Sequence, residues 1–120
     1  MRNERKTRTI GFMLQTLGHI TTAARGASDF DRDCLTMVHD VHEKAIQWMR
    51  DTRQLTRNDA TGLVRVVIAK LIEGRPDNAP ASPLQESLML QARAAENFLA
   101  CDYSGAQSRA NDAYRIVNPY

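Results

Sequence analysis

The chain has 120 residues, 42% of them hydrophobic. That supports one core, so a single helical domain over residues 1–120 is expected, with no disulfide or metal needed for folding. Its 16 basic and 14 acidic residues leave a net charge of +2, short of the basic excess usual in a dedicated nucleic-acid binder. No apolar run approaches the ~18 residues of a membrane span, and the basic start lacks the apolar segment of a signal peptide. A soluble, cytoplasmic protein is therefore expected.

Residues 1–7 (MRNERKT) are polar and predict a flexible basic arm, with Arg2, Arg5 and Lys6 set against Glu4. The sharper alternative is an arm that grips an acidic partner or a phosphate backbone. A first helix follows over residues 8–25, where Ile10, Met13, Leu14, Leu17, Ile20 and Ala24 recur at three- and four-residue steps before Gly26. Phe12 and His19 point away from this stripe. Gly11 and Gly18 stand seven apart and share a face, each costing up to ~1 kcal/mol against alanine. Together Phe12, Gly11, Gly18 and His19 make the candidate partner-binding strip, a place where another backbone approaches closely. The plainer reading is a helix that tolerates two glycines.

A second helix begins near Ser28, with Asp29, Asp31 and Asp33 where the helix dipole favours negative charge. Its stripe is Phe30, Cys34, Met37, Val38, Val41, Ala45, Trp48 and Met49. His39 and His42 lie on one side of it, with Glu43 close to His39. Two histidines at this spacing plus a carboxylate are a candidate metal site. A tight site needs three or four ligands, however, and no second cluster supplies them. The favoured reading is an amphipathic helix with His42 at the edge of its apolar stripe, and no metal or cofactor. The His39-Asp40 pair resembles the HD phosphohydrolases over two residues, but the flanking histidine and distant aspartate of that family have no counterparts here.

Arg50, Arg53, Arg57 and Arg65 form the densest basic patch. With helices on either side it suggests a helix-turn-helix, yet the polar interval exceeds the tight turn such units use. The stretch over residues 59–73 is the most apolar in the chain, and seven of the ten residues from 63 to 72 are large aliphatics. Leu63, Val64, Val67, Ile68, Leu71 and Ile72 cover about half a helical wheel. This predicts a central helix that touches more than one neighbour. A buried strand is the competitor, because RVVIA is β-branched, but the segment is too long and has no second strand to pair with.

Residues 73–83 (EGRPDNAPASP) form the only clear loop. Ser82, Pro83 and Gln85 then make a capping box for a fourth helix. Leu84, Leu88, Ala95, Phe98 and Leu99 form one face of that helix; Leu90, Ala94 and Cys101 form a second. Cys34 and Cys101, both within apolar patterns, read as reduced core thiols. After a turn at residues 102–105, Ala106, Ala110, Ala113 and Val117 line a small-faced last helix, stopped by Asn118-Pro119. The expected fold is thus all-α, a four- or five-helix antiparallel bundle with a C-terminal helical hairpin.

Residues 84–119 resemble a single tetratricopeptide-repeat hairpin. Small residues stand at Ala94, Ala106 and Ala113, an aromatic at Tyr103 and a proline at Pro119. The pattern is broken by Arg93 in place of leucine, and by Asn97 and Ala110 in place of aromatics. The likeness covers one repeat length with no second copy upstream. It implies a protein-binding surface.

No phosphate-binding glycine loop or nucleophile motif is present, so an enzyme is not expected. The leading expectation is a small cytoplasmic protein-interaction module, an adaptor, chaperone or inhibitor that binds another protein and itself forms a homo-oligomer. The alternative is a nucleic-acid-binding regulator using Arg2, Arg5, Lys6, Arg50, Arg53, Arg57 and Arg65.

Overall fold

The computed structural model describes residues 4–51, 53–74 and 82–118. They form five α-helices: α1 (Glu4–Ala23), α2 (Asp29–Arg50), α3 (Arg57–Glu73), α4 (Pro83–Leu99) and α5 (Tyr103–Val117). No strand occurs among the described residues. The fold is all-α, and the β-branched run of α3 is helical. The loop expected at residues 73–83 falls mostly outside the described residues, as do Arg2 and Pro119.

Local chemistry sets the helix starts. Ser28 Oγ accepts from Asp31 N–H at 3.2 Å, and Thr56 Oγ1 accepts from Asp59 N–H at 3.1 Å. Ser82 and Gln85 bond reciprocally, side chain to backbone, in the capping box. Asp102 Oδ1 accepts from Gly105 N–H at 3.0 Å to open α5. Each cap satisfies an amide that the first helical turn leaves without a partner. Gly26, at φ 78°, supplies the left-handed step after α1.

Three expectations need correction. The organising helix is α4, not α3. Helix α4 packs against all four others, whereas α3 touches only α2 and α4. The reason lies in the circumference of α4. Its buried residues Ser87, Leu88, Gln91, Ala92, Ala94, Ala95, Phe98 and Leu99 mix small and large side chains around the helix, so neighbours can close in from several sides. The wide aliphatic face of α3 is only partly covered: Ala60, Val64, Val67, Ile68 and Leu71 are buried, but Leu63, Val66 and Ile72 are 39%, 51% and 49% exposed.

Residues 4–7, expected in a flexible arm, are helical, because α1 begins at Glu4. Arg5 Nη2 donates to Ser104 Oγ at 2.9 Å, and the Lys6 ammonium stands 4.7 Å from the centre of the Trp48 ring. These contacts hold the first turn to α5 and α2. Cys101, finally, is exposed rather than in the core. It follows the C-cap of α4 with φ 63°. Cys101 N–H bonds to Phe98 O at 3.0 Å and Asp102 N–H to Asn97 O at 2.8 Å, closing the helix end in a left-handed cap that usually takes glycine.

The hairpin expected at the C-terminus forms, with Ala94, Ala106, Ala110 and Ala113 buried where α4 meets α5. Alanine here allows close approach of the backbones at no rotamer cost. Phe98 anchors the core beyond it, edge-on to Trp48 at 6.1 Å and to Tyr103 at 5.8 Å.

Candidate functional site

The structure takes His42 into the core and away from His39 and Glu43. His42 is fully buried, and its Nδ1–H donates to Val38 O at 2.8 Å. A carbonyl can only accept, so the proton is on Nδ1 and Nε2 carries the lone pair. Gln91 Nε2, from α4, donates to that lone pair at 3.1 Å and to Met13 O of α1 at 2.6 Å. Thr16 Oγ1 lies 2.9 Å from Met13 O and 3.1 Å from Gln91 Oε1, its single proton serving one acceptor at a time. A closed polar knot thus ties α1, α2 and α4 together. No buried side-chain nitrogen or oxygen among the described residues lacks a partner. Burial, helped by the nearby His39, pushes the His42 pKa down from 6.5 to about 4, which keeps the ring neutral at neutral pH.

With both ring nitrogens engaged, His42 has no lone pair for a metal. His39 turns instead to α1, its Nε2 2.8 Å from Thr21 Oγ1, and Glu43 is exposed. Among the described residues no group of three potential ligands comes together. Sequence reasoning passed over Gln91 and Thr16. The signal for Gln91 was its place between Leu88 and Ala95, on the apolar face of α4, where an amide has to find buried partners.

The candidate strip on α1 divides. Phe12 is half-buried against the core, and His19 stacks on Tyr114 of α5 with ring centres 4.9 Å apart. That side of α1 is the one α5 uses, since Gln107 Nε2 also donates to Thr9 Oγ1 at 3.1 Å. Gly11 and Gly18 are exposed, and a Cβ on either would meet no atom within 4 Å. No other part of the described chain approaches them. Leu14, expected in the buried stripe, is 40% exposed on the neighbouring surface.

The basic residues also separate. Arg65 lies 3.7 Å from the Glu96 carboxylate. Arg50 and Arg53 are exposed at the end of α2 and just after it. Arg57 Cζ sits 5.5 Å from the centre of the Trp48 ring, and its Nη2 donates to Cys101 Sγ at 3.3 Å. Arg5 Cζ lies 5.7 Å from the centre of the Tyr103 ring. Arg5 and Lys6 from the expected arm therefore converge with Arg57 from the expected patch at one end of the bundle. Burial, then its hydrogen bond to Cys101, pushes the Tyr103 hydroxyl up to about 12.

Two apolar grooves flank α3. One, of about 370 Å³ between α2 and α3, is lined by Met37, Val41, Leu63, Val66 and Val67, with Asp40 and Lys70 on its rim. The other, of about 310 Å³, is lined by Phe30, Cys34, Leu71, Met89, Leu90 and Ile116. Burial, reinforced by the charges of Asp31 and Asp33, raises the Cys34 thiol to about 11, so it stays protonated and unreactive.

No described helix is long and apolar enough to cross a membrane. Compared with protein-family models, with curated proteins and with solved structures, the chain finds no significant match.

Proposed function

We propose that this chain is a small protein-interaction module, a binding protein rather than an enzyme, whose contact surface is the outward face of α3. Its first partner is a second copy of itself. The observation that carries this reading is the pair Leu63 and Val66, exposed side by side on a helix that packs against two others among the described residues; Ile72, also exposed, lies on the opposite edge of α3. Gly62 and Ala69 are exposed beside Val66. At four- and three-residue spacing they leave a low strip on which another helix can lie close.

The groove rim favours a self-complementary contact. Asp40 and Lys70 stand on the same groove, so a two-fold arrangement sets Asp40 of each copy against Lys70 of the other. Covering Leu63 and Val66 in each copy contributes ~1 kcal/mol apiece, about 4 kcal/mol in all. This matches only the lower end of the ~4–15 kcal/mol cost of association, so the pair is weak and forms only at high protein concentration. A cytoplasmic setting accords with two free cysteines.

A nucleic-acid role has less support. The Trp48 ring is buried beneath Lys6 and Arg57 and offers no face for a base, and Arg65 faces Glu96.

Sedimentation or light scattering over a concentration series tests the proposal. The native chain should begin to shift from monomer towards dimer only at millimolar concentration. Val66→Arg should remain monomeric with an unchanged melting temperature. A native chain that stays monomeric at its highest soluble concentration would refute self-association through this face.

A further inference from the structure

We propose that the end of the bundle where Arg5, Lys6 and Arg57 meet is a binding site for a small phosphate-bearing anion, with pyrophosphate as its simplest member. Two helices bring cations to this end. Arg5 and Lys6 stand in the first turn of α1, and Arg57 opens α3. The Lys6 ammonium and the Arg57 guanidinium flank the same indole ring, at 4.7 and 5.5 Å from its centre. Arg5 lies over the Tyr103 ring, which packs edge-on against Phe98, itself edge-on to Trp48, while Arg57 donates to Cys101. These contacts run continuously through Trp48, Phe98 and Tyr103.

Charge at this end is left unbalanced. Among the described residues no carboxylate lies within ion-pairing distance of Arg5, Lys6 or Arg57. Asp102 bears on Arg5 through its charge, but its oxygens are already taken by Gly105 N–H and Asn97 Nδ2. Three cations against Glu4 of the same turn and the engaged Asp102 still leave a local excess of positive charge. The donors are equally unspent. Arg5 uses one N–H on Ser104 and Arg57 one on Cys101, while each guanidinium has five and the ammonium three. Their charged heads lie over aromatic rings, which leaves them little freedom to lose on binding. With its ring covered, Trp48 cannot stack a nucleobase, so the chemistry recognised is the phosphate alone.

Cys101 reports on the site, because its exposed thiol touches Arg57, while the buried Cys34 is an internal control. Alkylation of the full chain by iodoacetate, an anion, is compared with alkylation by neutral iodoacetamide, each site being read by peptide mass spectrometry. The iodoacetate-to-iodoacetamide rate ratio at Cys101 should exceed that of free cysteine by about two- to fivefold at low salt. Millimolar pyrophosphate should abolish the excess, and sodium chloride at equal ionic strength should leave most of it. Lys6→Gln and Arg57→Gln should each weaken the protection several-fold, with helicity checked by circular dichroism. Lys6→Gln leaves the Arg57–Cys101 contact in place and keeps the test decisive if Arg57→Gln unfolds. A ratio equal to that of free cysteine, equal protection by chloride, or full protection retained in Lys6→Gln would overturn the site. Protection by an oligonucleotide but not by pyrophosphate would also overturn it, in favour of a nucleic-acid surface.

Discussion

Acidification loosens this fold through His42. The ring is fully buried and neutral, with Nδ1–H given to Val38 O and the Nε2 lone pair taken by Gln91. Protonating Nε2 would turn an acceptor into a donor facing the Gln91 amide and bury an unpaired charge. The folded pKa is therefore depressed, about 4 against an ordinary 6.5. Between those values the unfolded chain binds more protons than the folded one. The stabilisation is thus complete above pH 6.5 and lost as pH falls towards 4. At 1.36 kcal/mol per pKa unit the loss is about 1.5 kcal/mol by pH 5.5 and about 2.5 kcal/mol by pH 4.5. Urea unfolding followed by circular dichroism at pH 7.5, 6.5, 5.5 and 4.5 measures it, with His42→Gln as the reference. Glutamine offers Gln91 an oxygen acceptor and does not titrate in this range, while every other titration is common to both proteins and cancels. The two stability curves should diverge below pH 6.5 by the amounts given. Parallel curves down to pH 4.5 would show that His42 is not held neutral by its surroundings.

Replacing Gln91 with leucine strips Met13 O and His42 Nε2 of their shared donor. A loss of about 2–3 kcal/mol is expected from chemical denaturation, and a loss under 1 kcal/mol would mean that the knot is not closed. Cys101→Gly should raise stability by roughly 0.5–1 kcal/mol, because residue 101 adopts φ 63° where glycine is free of Cβ strain. A lower urea midpoint would count against that cap. Ala110→Leu, at a fully buried position on α5, should cost about 1–3 kcal/mol by forcing the α4–α5 hairpin apart, and unchanged stability would indicate looser packing there.

Much of the architecture could be read from residues a few positions apart. Ser28, Thr56, Ser82 with Gln85, and Asp102 all cap helices where their spacing to the next free amide allows it. Periodicity found Met13, Leu17 and Ile20, and Val38, Val41 and Ala45, all of them buried. It failed where burial depends on what the neighbour supplies. Leu14 and Ile72 belong to apolar stripes yet remain partly in solvent, since α2 barely touches α1 and α3 lies at the margin of the bundle. Cys101 fitted an apolar pattern that stops one residue short of it, at the cap.

The candidate sites show the same division. Sequence alone determined that four or five periodic segments would coil, that the β-branched run would be one of them, and that alanines would line the last hairpin. Those outcomes rest on hydrogen bonds and spacings within one segment. Only tertiary structure decided that α4 is the axis, that His42 meets Gln91 instead of a metal partner, and that Arg5, Lys6 and Arg57 gather around Trp48 and Tyr103. Each of these is a contact between residues dozens of positions apart. Such contacts are set by how the helices cross, which no local pattern encodes.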